Sequence, residues 1–515
     1  MSEQLAAIIS GERVCPGERL EQRVRSIAGG LVAHGLGVGD VLCILMRNDF
    51  PFIELTLAAE RVGVVAVPVN WHASVEDIEH ILHDSGARLV VAHTDLLTKL
   101  PARALDVGLT VLHVAPPPEI RCAYKLGDGD FAVLQGIQDY EVWLSEAQPL
   151  DTAIAAPPYR LLYTSGSTGR PKGVRRELAD RDVTKVMGLR TRKAHGMNEG
   201  PIRAVMTGPL YHSAPNAYAM NCVRAGGLLV LQPRFDASQL LALIGRHRIS
   251  HMHVVPTMFN RLLALPQAER AQADVSSLRS VAHGAAMCPR DVKRAMIDWW
   301  GEVLYEYYAA TELGIIAACT SSEWLAHPGT VGRPPTGVDL RIVDDLGQEL
   351  PDGEAGEILV QSSVVGTVSY HNRPDAMSDL RRDGHWATLG DIGYRDKDGF
   401  VWLCDRKSDM LISGGVNIFP AEVEQLVLQI PGVKDCIAFG VPHADLGEAL
   451  ALYIEPATGA TLEVKDIRAR ILRELGRLKV PGDIRLIDEL PREDTGKLAR
   501  RKIKAAYLKE KTPAK

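Results

Sequence analysis

The sequence predicts an α/β protein built largely on doubly wound parallel sheets, and three observations carry that prediction. Short apolar runs alternate with stretches of helical period, glycine-rich turns separate them, and the alternation continues from residue 20 to residue 282 of a 515-residue chain. Leu20, Val24, Ile27 and Leu31 recur at helical spacing ahead of GLGVGD and the apolar run 41–46, which reads as helix, turn and buried strand. A helix near 52–61, a strand at 64–69, a helix opened by Ser74 with Asp77 three residues on, and a strand at 89–92 continue the series. The PPP at 116–118 reads as a loop within this region. GDGDFA at 127–132 matches a dinucleotide glycine pattern in letters only and reads as a turn, because no strand-to-helix context surrounds it.

A second series follows, with a strand at 228–231, a helix after Ser238, a strand at 251–255, a helix after Pro256 and a short strand at 280–282. Two α/β subdomains are expected. From about Val338 the segments become short and alternating, as in VDLRIVDDLGQELPDGEAGEILV and DGFVWLC, which predicts a small β-rich unit closing the large domain. Beyond Arg406 lies a compact α+β tail: a helix after Pro420, strands at 435–441 and 450–454, and a helix presenting Val464, Ile467, Ile471, Leu472 and Leu475 on one face. The predicted division is a large N-terminal domain over 1–406 and a small C-terminal domain over 407–515.

Composition bounds the function classes. With 46% hydrophobic and 24% charged residues the chain can bury large cores, which excludes disordered and fibrous architectures. The 58 basic against 64 acidic residues leave a charge of −6, so no global field draws nucleic acid or an anionic membrane, and an anionic ligand must be held locally. Eight scattered cysteines without a C-x-x-C pair suggest neither a disulfide framework nor a zinc ribbon and fit a cytoplasmic location. The first twenty residues lack the pattern of a signal peptide, and no stretch of about 18 apolar residues occurs, so no integral membrane contact is expected. His251 and His253 share a strand face, but no cysteine or carboxylate stands near them at metal-ligand spacing.

The most informative segment is YTSGSTGRPKG at 163–173, where two glycines and four serine or threonine residues precede a lysine and a third glycine follows it. Backbone N–H groups of Gly166–Gly169, the hydroxyls of Thr164, Ser165, Ser167 and Thr168, and the charge of Lys172 suit phosphate oxygens and their Mg²⁺. It is not a Walker A loop, since proline precedes the lysine and glycine follows it. With this segment the chain resembles the adenylate-forming superfamily of acyl- and aryl-CoA synthetases, luciferases and peptide-synthetase adenylation domains. Further segments match in the family's order: PLYHSAP at 209–215, HGAAMCP at 283–289, YEYYAATE at 305–312, GHWATLGDIGYRDKDGFVWLCDR at 384–406, KSDMLISGGVNIFPAEVE at 407–424 and PREDTGKLARRKI at 491–503.

The resemblance implies a reaction and a set of roles. A carboxylic acid would attack the α-phosphorus of ATP, with pyrophosphate leaving, and the acyl-AMP would then be passed to coenzyme A; charge gathers in the transition state, so cations and donors are the catalytic resource. Lys497 would bridge the carboxylate and α-phosphate, Thr311 would contact the α-phosphate, and Glu312 with Thr168 would hold Mg²⁺. Asp391 would accept the ribose hydroxyls and Arg406 would secure the ribose, while Gly284, Ala285, Ala286, Tyr307, Tyr308 and Ala309 would complete the ATP and AMP site with Gly169 and the rest of the glycine-rich loop. His212, Ser213, Asn216, Gly284, Met287, Tyr307 and Ala310 are candidates for the acyl pocket, with His212 also orienting the acyl group. Ser413, Gly414 and Gly415 would border the pantetheine tunnel once the small domain rotates about a hinge at Ser408. Taken singly, Asp391 and Arg406 read more often as turn or surface residues, which their place in the ordered motif set reverses; Lys497 reads as part of a basic tail, against which the TGK turn argues; and Tyr307 and Tyr308 could stack on adenine or line the pocket, though aromatic pairs are more often simply core.

Two positions depart from the family's pattern: Ser408 stands where relatives carry Asp or Lys, and Ala309 replaces the glycine after Tyr308. The mixed, mostly uncharged pocket candidates favour a monocarboxylic acid with an aryl, branched or medium-length acyl part, whereas an arginine there would argue for a dicarboxylate. An acyl-AMP ligase loading a carrier protein, a luciferase-type oxidation and a catalytically silent nucleotide-binding module are the alternatives. The partners expected are the small-molecule acid, ATP and CoA, with homo-oligomerisation left open.

Overall fold

The computed structural model describes residues 7–101, 109–131, 136–154, 159–164, 170–177, 181–198, 200–362, 368–373, 380, 382, 385–413, 416–443, 445–492, 498 and 500–511. One sheet has five strands in the order Val65–Pro68, Val41–Leu45, Ala87–His93, Thr110–Val114 and Gln138–Asp139, all parallel. Every residue of Val41–Leu45 is buried, the behaviour of a continuous apolar strand covered on both faces. The second sheet runs Gly314–Thr320, Leu304–Ala310, Ser280–His283, His251–Val254, Arg203–Met206, Leu228–Leu231, Ala7–Ser10 and Arg13–Cys15; its two end strands are antiparallel and the six between them parallel.

The two sheets share one core. A single apolar cluster joins Leu42, Ile44, Leu89 and Val91 of the first sheet to Met206, Leu229, Leu231 and Ala282 of the second. Between them it takes in Leu20, Ile27 and Leu31 of the helix Gly17–Ala33, Phe52 and Leu55 of Phe50–Val62, and Tyr218 of Ser213–Arg224. Glu54 is buried within this layer and is satisfied by Arg23 Nε at 2.7 Å and by the Tyr140 hydroxyl at 3.1 Å. Buried Asn48, beyond the first sheet's Val41–Leu45 strand, donates from Nδ2 to Gly208 O at 2.9 Å and accepts from Leu210 N at 2.8 Å. That pair of bonds ties the end of one sheet to the turn that follows Arg203–Met206 in the other.

Three local features differ from the sequence reading. Ala7–Ser10 is a strand of the second sheet, paired with Leu228–Leu231; four residues with only alternate burial carry too little period to announce a strand. The helix expected after Ser238 starts at Ala237, because Asp236 is the cap and its carboxylate accepts Gln239 N at 2.8 Å. Pro118 does not lie in a loop but opens the helix Pro118–Tyr124, where its missing N–H costs nothing. GDGDFA holds a short 3₁₀ turn, Asp128–Phe131.

The β-rich unit is an antiparallel sheet of Val338–Val343, Gly356–Ser362, Ala387–Arg395 and Val401–Arg406. A smaller antiparallel sheet joins Val368–Tyr370, Lys172–Glu177 and Tyr159–Thr164. The small C-terminal domain is built on Val416–Ile418, Leu411–Ser413, Gly447–Pro456 and Val433–His443, with Asp483–Leu486 parallel to the third. Helices Pro420–Leu428 and Val464–Leu475 bury Val423, Leu426, Ile467 and Ile471 against that sheet. Among the described residues no helix is long and apolar enough to cross a membrane.

Beside a further apolar cluster that includes Met252, Val281, Met296, Leu304 and Trp324 lies a buried ion pair: Lys293, wholly buried on the helix Arg290–Trp300, meets Glu306 Oε2 at 2.5 Å and lies 4.9 Å from the Trp324 ring. Removing one partner strands the other charge away from water. Lys293→Met is expected to cost about 3–5 kcal/mol, and pairing it with Glu306→Leu to recover most of that loss. Urea unfolding of both variants measures the difference; equal destabilisation would contradict it.

Candidate active site

Several candidate residues gather where strands of the second sheet end. His212 follows Arg203–Met206, Gly284 follows Ser280–His283, and Thr311 and Glu312 follow Leu304–Ala310. Crevices at the carboxyl ends of parallel strands are where α/β sheets bind ligands. Ser165, Gly166, Ser167, Thr168, Gly169, Gly414, Gly415 and Lys497 lie outside the described residues.

On the phosphate side, Thr164 and Lys172 face each other across the antiparallel pair Tyr159–Thr164 and Lys172–Glu177, which holds the ends of the glycine-rich loop together. Lys172 Nζ lies 5.5 Å from the Tyr370 ring centroid, and the Tyr370 hydroxyl donates to Glu312 Oε1 at 3.1 Å. Tyr370 therefore links the loop lysine to the carboxylate. The Thr311 hydroxyl is 3.2 Å from Ser213 Oγ, and its carbonyl accepts from Arg176 Nη2 at 2.6 Å. Sequence reasoning singled out neither Tyr370 nor Arg176: Tyr370 sits in a short strand without a motif, Arg176 lies three residues past the end of the glycine-rich motif, and strand pairing brings both to the site.

On the ribose side, Asp391 and Arg406 are partners in the antiparallel pair Ala387–Arg395 and Val401–Arg406, with Arg406 Nε 3.4 Å from the carboxylate. Asp391 is buried, and the Tyr308 hydroxyl donates to its Oδ2. Burial first, then the Asp391 charge, pushes the Tyr308 phenol well above its ordinary pKa, so it stays a donor. A carboxylate has about four acceptor sites, so one engaged this way still takes two hydroxyls of a sugar.

The strand geometry separates two neighbouring tyrosines. Successive side chains of a strand point to opposite faces, so while Tyr308 reaches Asp391, Tyr307 turns inward and its hydroxyl lies 2.7 Å from His253 Nε2. The Tyr307 ring lies against Gly284, where an added Cβ would sit 2.9 Å from it. Ala285 beyond it is held at φ 68°, a left-handed conformation that costs a non-glycine residue about 1–3 kcal/mol; Ala286 follows. His212 caps Ser213–Arg224, its ring 4.3 Å from that of Tyr211, and Asn216 donates back to Leu210 O at 3.1 Å. Ala309 packs on the shared core and Ala310 on the core of the β-rich unit. Met287 Sδ accepts from Gln425 Nε2 of the C-terminal domain at 3.8 Å.

Ser408 lies exposed in a turn with anchors on both sides. Lys407 bonds Asp345 at 3.0 Å and Glu357 at 3.1 Å in the β-rich unit, while Asp409 is 3.6 Å from Arg500 on the last helix, Arg500–Lys511. Ser413 is buried on Leu411–Ser413, opposite Gly447.

Comparison with known proteins matches residues 5–368 to the family described as AMP-binding enzyme, and residues 422–497 to the AMP-binding enzyme C-terminal domain. A feruloyl-CoA synthase of an Amycolatopsis species is 31% identical over 518 aligned positions, covering 98% of this chain and 97% of that protein. A fatty acid–acyl-carrier-protein ligase of Streptomyces coeruleorubidus is 30% identical, covering 97% and 93%. The solved structure of ATP-bound MatB from Rhodopseudomonas palustris superposes with a TM-score of 0.86 at 26% identity, covering 99% and 98% of the two chains.

If Asp391 grips a ribose with Tyr308 behind it, Tyr308→Phe removes one charge-assisted bond and lowers AMP and ATP affinity about tenfold without unfolding the protein. Calorimetric titration with each nucleotide tests this; wild-type affinity would take Tyr308 out of the site.

Proposed function

Because the chain belongs to the AMP-binding enzyme family, within the adenylate-forming superfamily, we propose that it joins a small-molecule carboxylic acid to coenzyme A in two half-reactions at this site. At the coarser level it is an AMP-forming acid–thiol ligase. In the first half-reaction a carboxylate oxygen bonds to the α-phosphorus of ATP and pyrophosphate leaves. In the second the thiol sulfur bonds to the acyl carbon, AMP leaves, and the thiol proton is lost.

The observation that carries this reading is the buried Asp391, backed by Arg406 and by Tyr308 of Leu304–Ala310, the strand that Thr311 and Glu312 follow. It supplies a sugar-diol acceptor beside groups suited to phosphate. Thr311 and Lys172 take the α-phosphate and the departing phosphates, with Ser213 and Arg176 holding Thr311 from two sides. Lys497 neutralises the meeting carboxylate and phosphate oxygens. Glu312, with Thr168, suits Mg²⁺, which takes one or two carboxylates and completes its shell with substrate phosphates; bound there it screens the triphosphate. His212 orients the acyl end.

The large unit is 1–406 and the moving one 407–515. The turn at Ser408, with Lys407 fixed to the β-rich unit and Asp409 to the last helix, supports a hinge that exchanges Lys497 for the Ser413–Gly415 segment beside the pantetheine arm. A carrier protein as acceptor is the second reading, favoured by the likeness to the carrier-protein ligase.

AMP and pyrophosphate release from ATP and Mg²⁺ is to be measured over aliphatic, aryl and dicarboxylic acids, with and without CoA. Acid-dependent AMP formation that turns over with CoA is the expected result; a single burst that CoA does not extend points to a carrier protein. Lys497→Ala is expected to slow acid-dependent ATP–pyrophosphate exchange about a hundredfold or more while thiolysis of supplied acyl-AMP continues. Equal loss of both contradicts that division. Ser408→Pro is expected to impair one half-reaction selectively, and wild-type rates in both would displace the hinge.

A further inference from the structure

Behind Tyr307 four polar aromatic side chains meet inside the shared core. His195 follows the helix Arg181–Ala194, Tyr218 lies on Ser213–Arg224, His253 on His251–Val254 and Tyr307 on Leu304–Ala310, so four elements converge on one spot. Their relative exposures are 2%, 0%, 1% and 5%. Ring centroids are 5.0 Å apart for His195 and Tyr307, 5.1 Å for His195 and Tyr218, and 5.6 Å for Tyr218 and His253. The His253–Tyr307 bond satisfies one pair of groups, but His195 Nδ1 and the Tyr218 hydroxyl have no hydrogen-bond partner. Buried polar atoms are normally paired, and two left over at one spot, one just past a helix and one on another, suggest a ligand that brings their partner.

The position of the cluster relative to the chemistry is informative. Ser213 and Thr311 mark the reacting end, bonded to each other at 3.2 Å. Ser213 and Tyr218 are five helical steps apart, about 7.5 Å of rise, and Tyr307 and Thr311 are four steps apart along a strand end that bulges between Tyr308 and Ala309, at most about 13 Å. Both elements run from the reacting end to the cluster, and that span suits one substituted ring or a short chain. Burial pulls His253 down to about 4 and His195 to about 3, so both imidazoles are neutral, and among the described residues no Lys or Arg perturbs any of the four groups. A second carboxylate would find no counter-charge there, and a bare hydrocarbon end would leave His195 and Tyr218 unsatisfied.

We propose that this cluster receives the end of the acid remote from its carboxylate and selects an uncharged hydroxyl there, which makes a hydroxylated aromatic acid the substrate class. The inference rests on the acid-activating reading above. His195 Nδ1 and the Tyr218 hydroxyl bind the incoming hydroxyl, with the His253–Tyr307 pair as its wall. A site built to hydrogen-bond a hydroxyl discriminates strongly against the analogue lacking it, because its own polar groups are then stranded.

The test uses the full chain with ATP, Mg²⁺ and CoA and the 4-hydroxy, unsubstituted and 4-carboxy members of the benzoate and cinnamate series. In the better series the hydroxy acid is expected to exceed the unsubstituted acid about a hundredfold in kcat/KM, with the dicarboxylate no better than the unsubstituted one. Tyr218→Phe, which keeps the ring, is expected to lower the hydroxy acid about tenfold and to shrink its advantage over the unsubstituted acid, which no longer strands a phenol. The wild-type comparison decides on its own if that variant does not fold. Equal use of hydroxy and unsubstituted acids, or an equal loss of both in Tyr218→Phe, overturns the proposal. AMP formation from aliphatic acids alone also overturns it while leaving the acid-activating reading standing; AMP formation from no acid overturns both.

Discussion

One apolar layer holds the architecture in register: the helices Gly17–Ala33, Phe50–Val62 and Ser213–Arg224, buried between two parallel sheets that each turn a face toward them. Close-packed interiors deform little, so a layer shared by both sheets makes them one rigid body and fixes where their strands end. Asn48 reinforces that relation with two bonds from the end of one sheet to the turn of the other that leads to His212. The antiparallel strand Gly314–Thr320 closes the sheet beside Leu304–Ala310, so the chain reverses at Thr311 and Glu312 and leaves both at an open strand end.

From that rigid floor the alternation of a single strand divides the labour of the site. Tyr307 and Tyr308 are neighbours in sequence, yet one faces the core and the other faces Asp391 of the β-rich unit. The same strand thus turns one ring toward Asp391 and its neighbour toward His253 in the core. Gly284 permits this, since any side chain there would collide with the Tyr307 ring and carbonyl. Strain at Ala285 is carried at the same strand end, where a packed sheet over-determines the backbone.

The turn at Ser408 is anchored on both sides. Lys407 and Asp409 are each tied by ion pairs to opposite sides, and Ser408 between them is exposed. Such a turn concentrates backbone change in few residues, while the flanking bonds keep each side intact. Serine at this position offers a neutral hydroxyl in place of a charge, so the turn competes with neither neighbouring ion pair.

Local chemistry was enough to specify much of this protein from its sequence. Apolar runs and helical periods set the elements of both parallel sheets, because those signals arise within a few residues of one another, and the family resemblance followed from motifs whose letters encode phosphate and ribose chemistry. Where the sequence reading slipped, the competing cause was also local: Asp236 outcompeted Ser238 as a cap, and Pro118 served as a first helical residue. What only the tertiary structure decided is who meets whom. Ala7–Ser10 pairs on one side with Leu228–Leu231, far down the chain, Tyr370 and Arg176 reach Glu312 and Thr311 through strand pairing, and His195, Tyr218, His253 and Tyr307 meet from four elements. No short window of sequence contains those encounters, because they are set by the packing of whole layers, and burial rather than residue type is what turns four ordinary aromatic side chains into a polar floor.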